Sequence, residues 1–316
     1  LGVRVSNLEK KVGNLYWSGD ARMRYTASSS DKVADKYDGR IRLNVKGQVN
    51  DATYVQGQFV NNMNFKDEAS SNTTMAQIYV NHNFNKNVAV RLGRQPIAFG
   101  NQGGWLYNGL EGYDGAQVSY NNGKLSLTTG FGQLNASDMA EVTKEDMYFA
   151  KGAYDFGFAK LNADYIADKD GKAQYRDEIF GVGLNIPVQK FNVFGEYWKN
   201  TTALDDHDTA WNAGLSYGKA DWKKAGTWDL SVAYNDVDYG VYFGGGTWHN
   251  DMLKNFTFSD GKYLAATNLT FWTAIANVTL QKNVQLHAEY AFAADAEGTF
   301  GVDPDDSWTV SLNYKF

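Results

Sequence analysis

Cysteine is absent from the 316 residues and proline occurs only three times. Without cysteine there is no disulfide framework and no thiolate metal site, as suits an exported chain that avoids stray oxidation. Long apolar runs are also missing. A membrane helix needs about 18 or more consecutive apolar residues, and the best stretch, Phe271–Ala276, is already broken by Thr273. That excludes a transmembrane helix but not a transmembrane barrel, whose strands need only about ten residues of alternating character. Excess positive charge is lacking too: the net charge is −6, which argues against nucleic acid as a partner. No leader is visible, because Leu1 opens directly on a polar–apolar repeat. An exported protein is then expected to be represented by a mature or truncated chain.

Aromatic residues are abundant, with 18 Phe, 20 Tyr and 9 Trp. Apolar residues make up 43% of the chain, yet mean hydropathy is −0.49. Apolar side chains are therefore dispersed singly among polar ones. The final ten residues show the pattern most clearly. Trp308, Val310, Leu312, Tyr314 and Phe316 fall on one parity; Ser307, Thr309, Ser311, Asn313 and Lys315 fall on the other. Successive side chains of a strand point to opposite faces, so one face is aromatic and apolar and the other wholly polar. The same alternation recurs in Ile41–Val49, Leu161–Tyr165, Trp228–Tyr234 and Val284–Phe292.

Connectors alternate short and long. Short ones, rich in Asn, Gly and Lys as tight hairpins require, are Asn50–Ala52, Asn85–Asn87, Asn121–Gly123, Asp155–Phe158, Pro187–Lys190, Gly218–Gly226 and Gln281–Asn283. Long ones are Ser28–Lys36, Met63–Asn72, Pro96–Gly112, Leu134–Lys144, Asp168–Arg176, Asn200–Asp208, Asp238–Tyr263 and Ala294–Asp305. Seven turns and eight loops predict an all-β, 16-stranded antiparallel transmembrane β-barrel over residues 16–316, with both termini on the turn side. A soluble sandwich or a solenoid also alternates. The first would not place Trp, Tyr and Phe repeatedly near strand ends of the apolar face, and the second would show a fixed repeat, which is absent.

Leu1, Val5, Leu8, Val12 and Leu15 are spaced four, three, four and three, a heptad seam with Val at a and Leu at d. Two heptads are marginal alone. Residues 1–15 are expected to be either the end of a longer coiled-coil stalk or an amphipathic helix plugging or flanking the barrel.

The run Val5–Tyr25 resembles the stalk-to-barrel junction of OmpM-type proteins of diderm Firmicutes, and Leu92–Pro96 with Tyr113–Val118 resembles the strands flanking the third loop of porins. A chain ending on Phe316, with Tyr314 and Trp308 before it, resembles the C-terminal signal by which outer-membrane barrels are recognised for insertion. The resemblance implies a trimeric porin in the bacterial outer membrane, in contact with the bilayer and outer-leaflet lipopolysaccharide. It further implies a tether to the cell wall through an upstream stalk and wall-binding domain. The barrel resemblance spans residues 16–316 through short, degenerate motifs; the junction is more specific.

Function in such a barrel lives in the lumen. Arg22 and Arg24 on strand one and Arg40, Arg42 and Lys46 on strand two share the polar parity with Asp20 and Asp38. Folding the hairpin about Lys32 would set Arg24 opposite Arg40 and Arg22 opposite Arg42. Like charges so placed are destabilising and cost about 2–4 kcal/mol each at the lipid midplane, so they must face water. They are expected either to form a constriction wall, joined by Arg91, or merely to solubilise the lumen while paired with Asp20 and Asp38. The third loop would oppose them with Phe99, Trp105, Tyr107, Glu111 and Asp114, while Arg94 would sit at the rim. At seventeen residues, Pro96–Gly112 is long enough to be functional or disordered, and its aromatics favour packing on the wall.

Of the four histidines only His287 has lumen parity, and no serine motif accompanies it, so an enzyme is not expected. Acid-rich Asp205–Asp208 and Asp303–Asp306 lack calcium-loop spacing. They read as solvated loops, and no metal or cofactor is expected. The aromatic seventh loop, Asp238–Tyr263, would cap the pore or touch a neighbouring subunit. The sequence thus points to a channel for small hydrophilic solutes and ions with weak discrimination. The rival is a structural tether whose pore is plugged or incidental.

Overall fold

The computed structural model describes residues 13–30, 35–66, 71–101, 104–134, 146–169, 178–203, 206–241, 252, 266–298 and 303–316, without the side chains of 71, 110 and 111. Its strands are β1 (Leu15–Ser28), β2 (Lys36–Asn50), β3 (Thr53–Asn64), β4 (Ser71–Asn83), β5 (Val88–Phe99), β6 (Tyr107–Asn121), β7 (Leu125–Leu134) and β8 (Asp146–Asp155). They continue as β9 (Lys160–Asp168), β10 (Glu178–Val188), β11 (Phe191–Asn200), β12 (Thr209–Gly218), β13 (Trp228–Asp238), β14 (Asn268–Gln281), β15 (Val284–Glu297) and β16 (Ser307–Lys315). Each pairs antiparallel with its chain neighbours, and β1 closes on β16. The expected sixteen strands and seven turns are all present. Closure leaves no open sheet edge, which is what allows a sheet to cross lipid. Among the described residues no helix is long and apolar enough to cross a membrane.

Alternation sets the two faces. Outward positions such as Leu43, Val55, Val80, Leu92, Val182, Leu215 and Leu230 are exposed and apolar. Aromatic rings cluster at both ends of the wall. On the turn side, Tyr154–Phe156–Phe158, Phe191–Tyr217–Trp228 and His82–Phe84 lie with centroids 4.6–5.9 Å apart. On the loop side, Tyr25–Tyr37, Phe131–Tyr148, Trp211–Tyr234–Trp272 and Tyr290–Phe292 lie 4.8–5.4 Å apart. An apolar band between two aromatic girdles is the outer surface of a membrane barrel. The inner face is polar, as in the run where Gln77 donates to Gln58 at 3.3 Å and Gln58 to Asn44 at 2.7 Å.

One expectation needs correcting, and one residue departs from the alternation. Leu15, the last position of the heptad seam, is the first residue of β1 and pairs with Gly47, because the ladder supplies its backbone with partners that a lone helical turn cannot. Leu1, Val5, Leu8 and Val12 lie outside the described residues. Ala76, which shares outward parity with Ile78 and Val80, is buried: a register shift between Gln58 and Phe59 pairs Phe59 with Met75 and turns Ala76 inward.

The seam between first and last strands is closed by the terminal residue. Gly19 N–H donates to Phe316 O at 2.7 Å, and Phe316 N–H donates back to Gly19 O at 3.0 Å. A Cβ on Gly19 would run into the Phe316 ring and the Arg42 carbonyl oxygen. Gly19→Val is therefore expected to destabilise closure by about 2 kcal/mol or more, read as loss of the compact, heat-sensitive band in unboiled gel electrophoresis.

Candidate functional site: the barrel lumen

The β1–β2 register sets Arg24 opposite Asp38, Arg22 opposite Arg40 and Asp20 opposite Arg42. This corrects the pairing expected from a pivot at Lys32 by one rung. Two of the three rungs now join opposite charges, the arrangement that cross-strand energetics favour. Asp38 accepts from Arg24 Nε at 2.7 Å and Arg22 at 3.3 Å. Asp20 takes Arg42 Nε on both oxygens at 2.8 Å and lies 3.5 Å from Arg40. Each carboxylate thus bridges two guanidinium groups, and two positive charges of the cluster stay uncompensated. Arg22 and Arg40 each keep a buried Nε–H without a partner.

Lys46 and Arg91 do not join that cluster. Lys46 Nζ sits 4.4 Å over the Tyr54 ring and the Arg91 guanidinium 4.5 Å over Tyr79, with the two rings 6.4 Å apart in an edge contact. The four form a cation–aromatic stripe along the lumen face of β2–β5, and neither cation has a carboxylate partner among the described residues.

The third connection is not a seventeen-residue loop. Strand β5 runs on to Phe99 and β6 begins at Tyr107, leaving only residues 100–106 between them. What reads as a Gly-rich loop is a hairpin that leaves the wall at a register shift between Gln95 and Ile97. Gly112 sits at that bend with φ 22°, where a Cβ would strike Gln95 O and Ile97 N. The hairpin folds into the lumen. Phe99, Trp105 and Tyr107, with Ile97, Leu106 and Tyr113, join wall residues Phe149, Ile166, Ile179, Trp198, Leu269 and Phe271 in one buried cluster. The three aromatics singled out by sequence are therefore glue beneath the hairpin rather than a surface facing the lumen. Val241 and Met252 of the seventh loop pack into the same cluster; Tyr242, Phe243, Trp248, Phe256 and Phe258 lie outside the described residues.

Wall carboxylates latch the tip. Gly100 N–H donates to Asp164 at 2.8 Å, and Asn101 N–H donates to Glu196 at 3.0 Å. Glu196 also accepts from Trp198 Nε1 at 2.9 Å and Asn212 at 3.2 Å. The Asn101 side chain donates to Gly195 O at 3.0 Å and accepts from Asn185 at 3.0 Å. Trp105 Nε1 reaches Asn235 at 3.2 Å, and Lys151 Nζ donates to Ala98 O. The hairpin is thus held against β8–β13, while the arginine cluster stands on β1–β2 across the ring. Sequence reasoning missed Lys151, Asp164, Asn185, Glu196 and Asn235 as a set. Lumen parity marks each as interior, but only the fold brings them to one hairpin.

Of the two acids expected of the third loop, Asp114 does not face the arginines. Asp114 shares the outward parity of Ala116 and Val118 and forms a bidentate pair with Arg94 at 2.7 Å. The Glu111 side chain lies outside the described residues. Arg94 is not at the loop rim but beside Ile78 and Leu92 on the outer face, the latter two 52% and 53% exposed.

His287 contacts Glu289 through Nε2 and Asn277 through Nδ1, both at 2.7 Å. With both ring nitrogens engaged, it cannot serve Ser311 opposite it as a general base. Asp208 pairs with Lys199 at 2.6 Å, Asp303 accepts from Ala296 N–H at 2.9 Å, and Asp306 accepts from Tyr290 OH. Among the described residues no three His, Asp or Glu converge on a cation position.

No known family profile and no curated protein match this chain. Solved structures do. A triple mutant of the Rhodopseudomonas blastica porin superimposes with a TM-score of 0.64 at 11% identity, over 96% of this chain and 100% of that one. A five-site mutant of the Rh. blastica porin gives 0.63 at 12% identity with the same coverage. A structure described as showing asymmetric conductivity of engineered proteins gives 0.60 at 11% identity. The chain has the fold of bacterial porins.

Proposed function

We propose that this barrel is an outer-membrane porin that passes small hydrophilic solutes and ions by diffusion, narrowed where the β5–β6 hairpin faces the arginine wall. The observation that carries this reading is the latched hairpin inside a closed sixteen-stranded wall. Sixteen strands enclose an aqueous channel unless it is plugged, and the hairpin is bound to one arc only, leaving the basic arc on β1–β2 uncovered by it. Arg22, Arg24, Arg40 and Arg42 form the basic side of the constriction, and Lys46 and Arg91 extend it toward the turns. Planar-bilayer recording tests the reading: purified protein is expected to give discrete conductance steps. Their absence would leave the tether alone, a barrel with an incidental or plugged pore.

A homotrimer is part of the proposal. An Arg on a lipid face at mid-depth costs about 2–4 kcal/mol, and the Arg94–Asp114 pair lies among exposed apolar side chains. A neighbouring copy seated on β3–β6 would cover it. Three chains per particle are expected from mass measurement in mild detergent, and a monomer would count against this assembly.

The OmpM-type resemblance adds a tether through an upstream stalk and wall-binding region, with the loops meeting outer-leaflet lipopolysaccharide. It is supported by β1 starting on the turn side, at the last position of the heptad spacing. Trp308, Tyr314 and Phe316, all on the outward parity of the last strand, are proposed as the insertion signal.

A further inference from the structure

The turn between β12 and β13 is unlike the other six. It runs from Lys219 to Thr227 and does not stay above its own strands. Gly226 N–H donates to Thr279 O at 2.8 Å, and Asn283 N–H donates to Trp222 O at 2.7 Å. These bonds carry the turn past the end of β14 to the β14–β15 turn. Asp221 pins its fold by accepting from Lys223 N–H at 2.9 Å, while Asp221 N–H donates to Thr227 Oγ1 at 2.8 Å. The result places the Trp222 ring 4.0 Å from Lys315 Nζ. Trp222 is thereby brought to the lining of a half-open cavity of about 250 Å³ in the lumen wall.

Three members of the arginine cluster share that lining. Arg22, Arg40, Arg42 and Lys315 line it against the single carboxylate of Asp20, and Gln285, Ser311 and Asn313 supply neutral polar groups. Asp20 is occupied by Arg42 and Arg40, and Asp38 holds Arg22 from outside the cavity. His287, also on the lining, is engaged by Glu289 and Asn277. Arg22 is 8% exposed, and its Nε–H, like that of Arg40, has no partner. With four cations and one carboxylate on its lining, the cavity carries uncompensated positive charge, and an incoming oxyanion would offset it through charge-assisted bonds to the side chains that line it. The space is below the range typical of drug-sized ligands, which fits a solute of a few atoms plus one ring. An indole on the lining suits a flat or apolar part of that solute.

We propose that this cavity is a binding site for small solutes carrying a phosphate or carboxylate group together with a planar or apolar body, held between the Arg22–Arg40–Arg42 cluster and Trp222. Its role in permeation rests on the porin reading; its existence as a site does not. The test is calorimetric titration of the detergent-solubilised protein with phenyl phosphate and with inorganic phosphate at low salt. One saturable phenyl phosphate per chain is expected, bound more tightly than inorganic phosphate. Arg40→Gln should weaken both by about tenfold. Trp222→Ala, in a turn outside the barrel wall, should weaken phenyl phosphate by about fivefold and inorganic phosphate less. No saturable binding, or native affinity for phenyl phosphate in both variants, overturns the site. Binding without bilayer current counts against the channel alone, and current without binding counts against the site alone.

Discussion

Glu196→Ala is expected to turn a steady channel into a flickering one, with open-channel noise several-fold above native and unit conductance about 1.5-fold higher. The Glu196 carboxylate gathers the Asn101 backbone N–H, the Trp198 indole N–H and the Asn212 amide in a site 5% exposed. Alanine leaves those donors without their acceptor, at about 1–3 kcal/mol each where water cannot replace it. Asn101 is the one that moves, because Trp198 and Asn212 belong to strands laddered on both sides. Asp164 and the Trp105 cluster still hold the hairpin, so the barrel folds and the tip alone loosens. Glu196→Gln keeps one acceptor oxygen and should show a smaller effect. Traces of Glu196→Ala that match native noise and conductance would remove the latch from the account.

The largest change in selectivity is expected from Arg22→Gln with Arg40→Gln. The cluster carries four guanidinium groups against Asp20 and Asp38, and this double change cancels its surplus. The ratio of anion to cation permeability should fall by roughly threefold or more, read as a reversal-potential shift under a salt gradient. Stability should hold or rise, because Arg22 and Arg40 are the like-charged rung of the ladder. Replacing Arg24 and Arg42 instead strips the acids of their closest partners, at 2.7 and 2.8 Å, and should lower stability. An unchanged reversal potential in the first variant would mean that ions do not pass this wall.

Much of the fold is legible along the chain because a strand reports its two faces residue by residue. Ser307–Lys315 reads the same in sequence and structure, as do the seven turns. Register is harder, since it depends on where a loop pivots. A pivot at Lys32 puts the β1–β2 hairpin one rung off, although charge alone favours pairing Arg24 with Asp38 and Asp20 with Arg42. The inward hairpin reads as a loop in the sequence because Pro96 and the surrounding glycines suit a connector equally well as a bent strand pair. Its latch joins residues 64 and 95 positions apart, a distance at which parity says only that both face inward. Trp222 gives no signal in the sequence for a related reason: a turn rich in Lys and Gly looks the same whether it stands free or crosses to a neighbouring strand.

The closing strand has a mechanical consequence. β1 is bonded along one edge to β2 and along the other to β16, with Leu15 at its turn-side end. A pull delivered through the residues before Leu15 runs along the strand rather than across it. Both ladders then carry the load in shear, many backbone bonds resisting together, instead of peeling one after another. The same closure that removes the sheet's edge makes β1 an anchor suited to tension from the turn side.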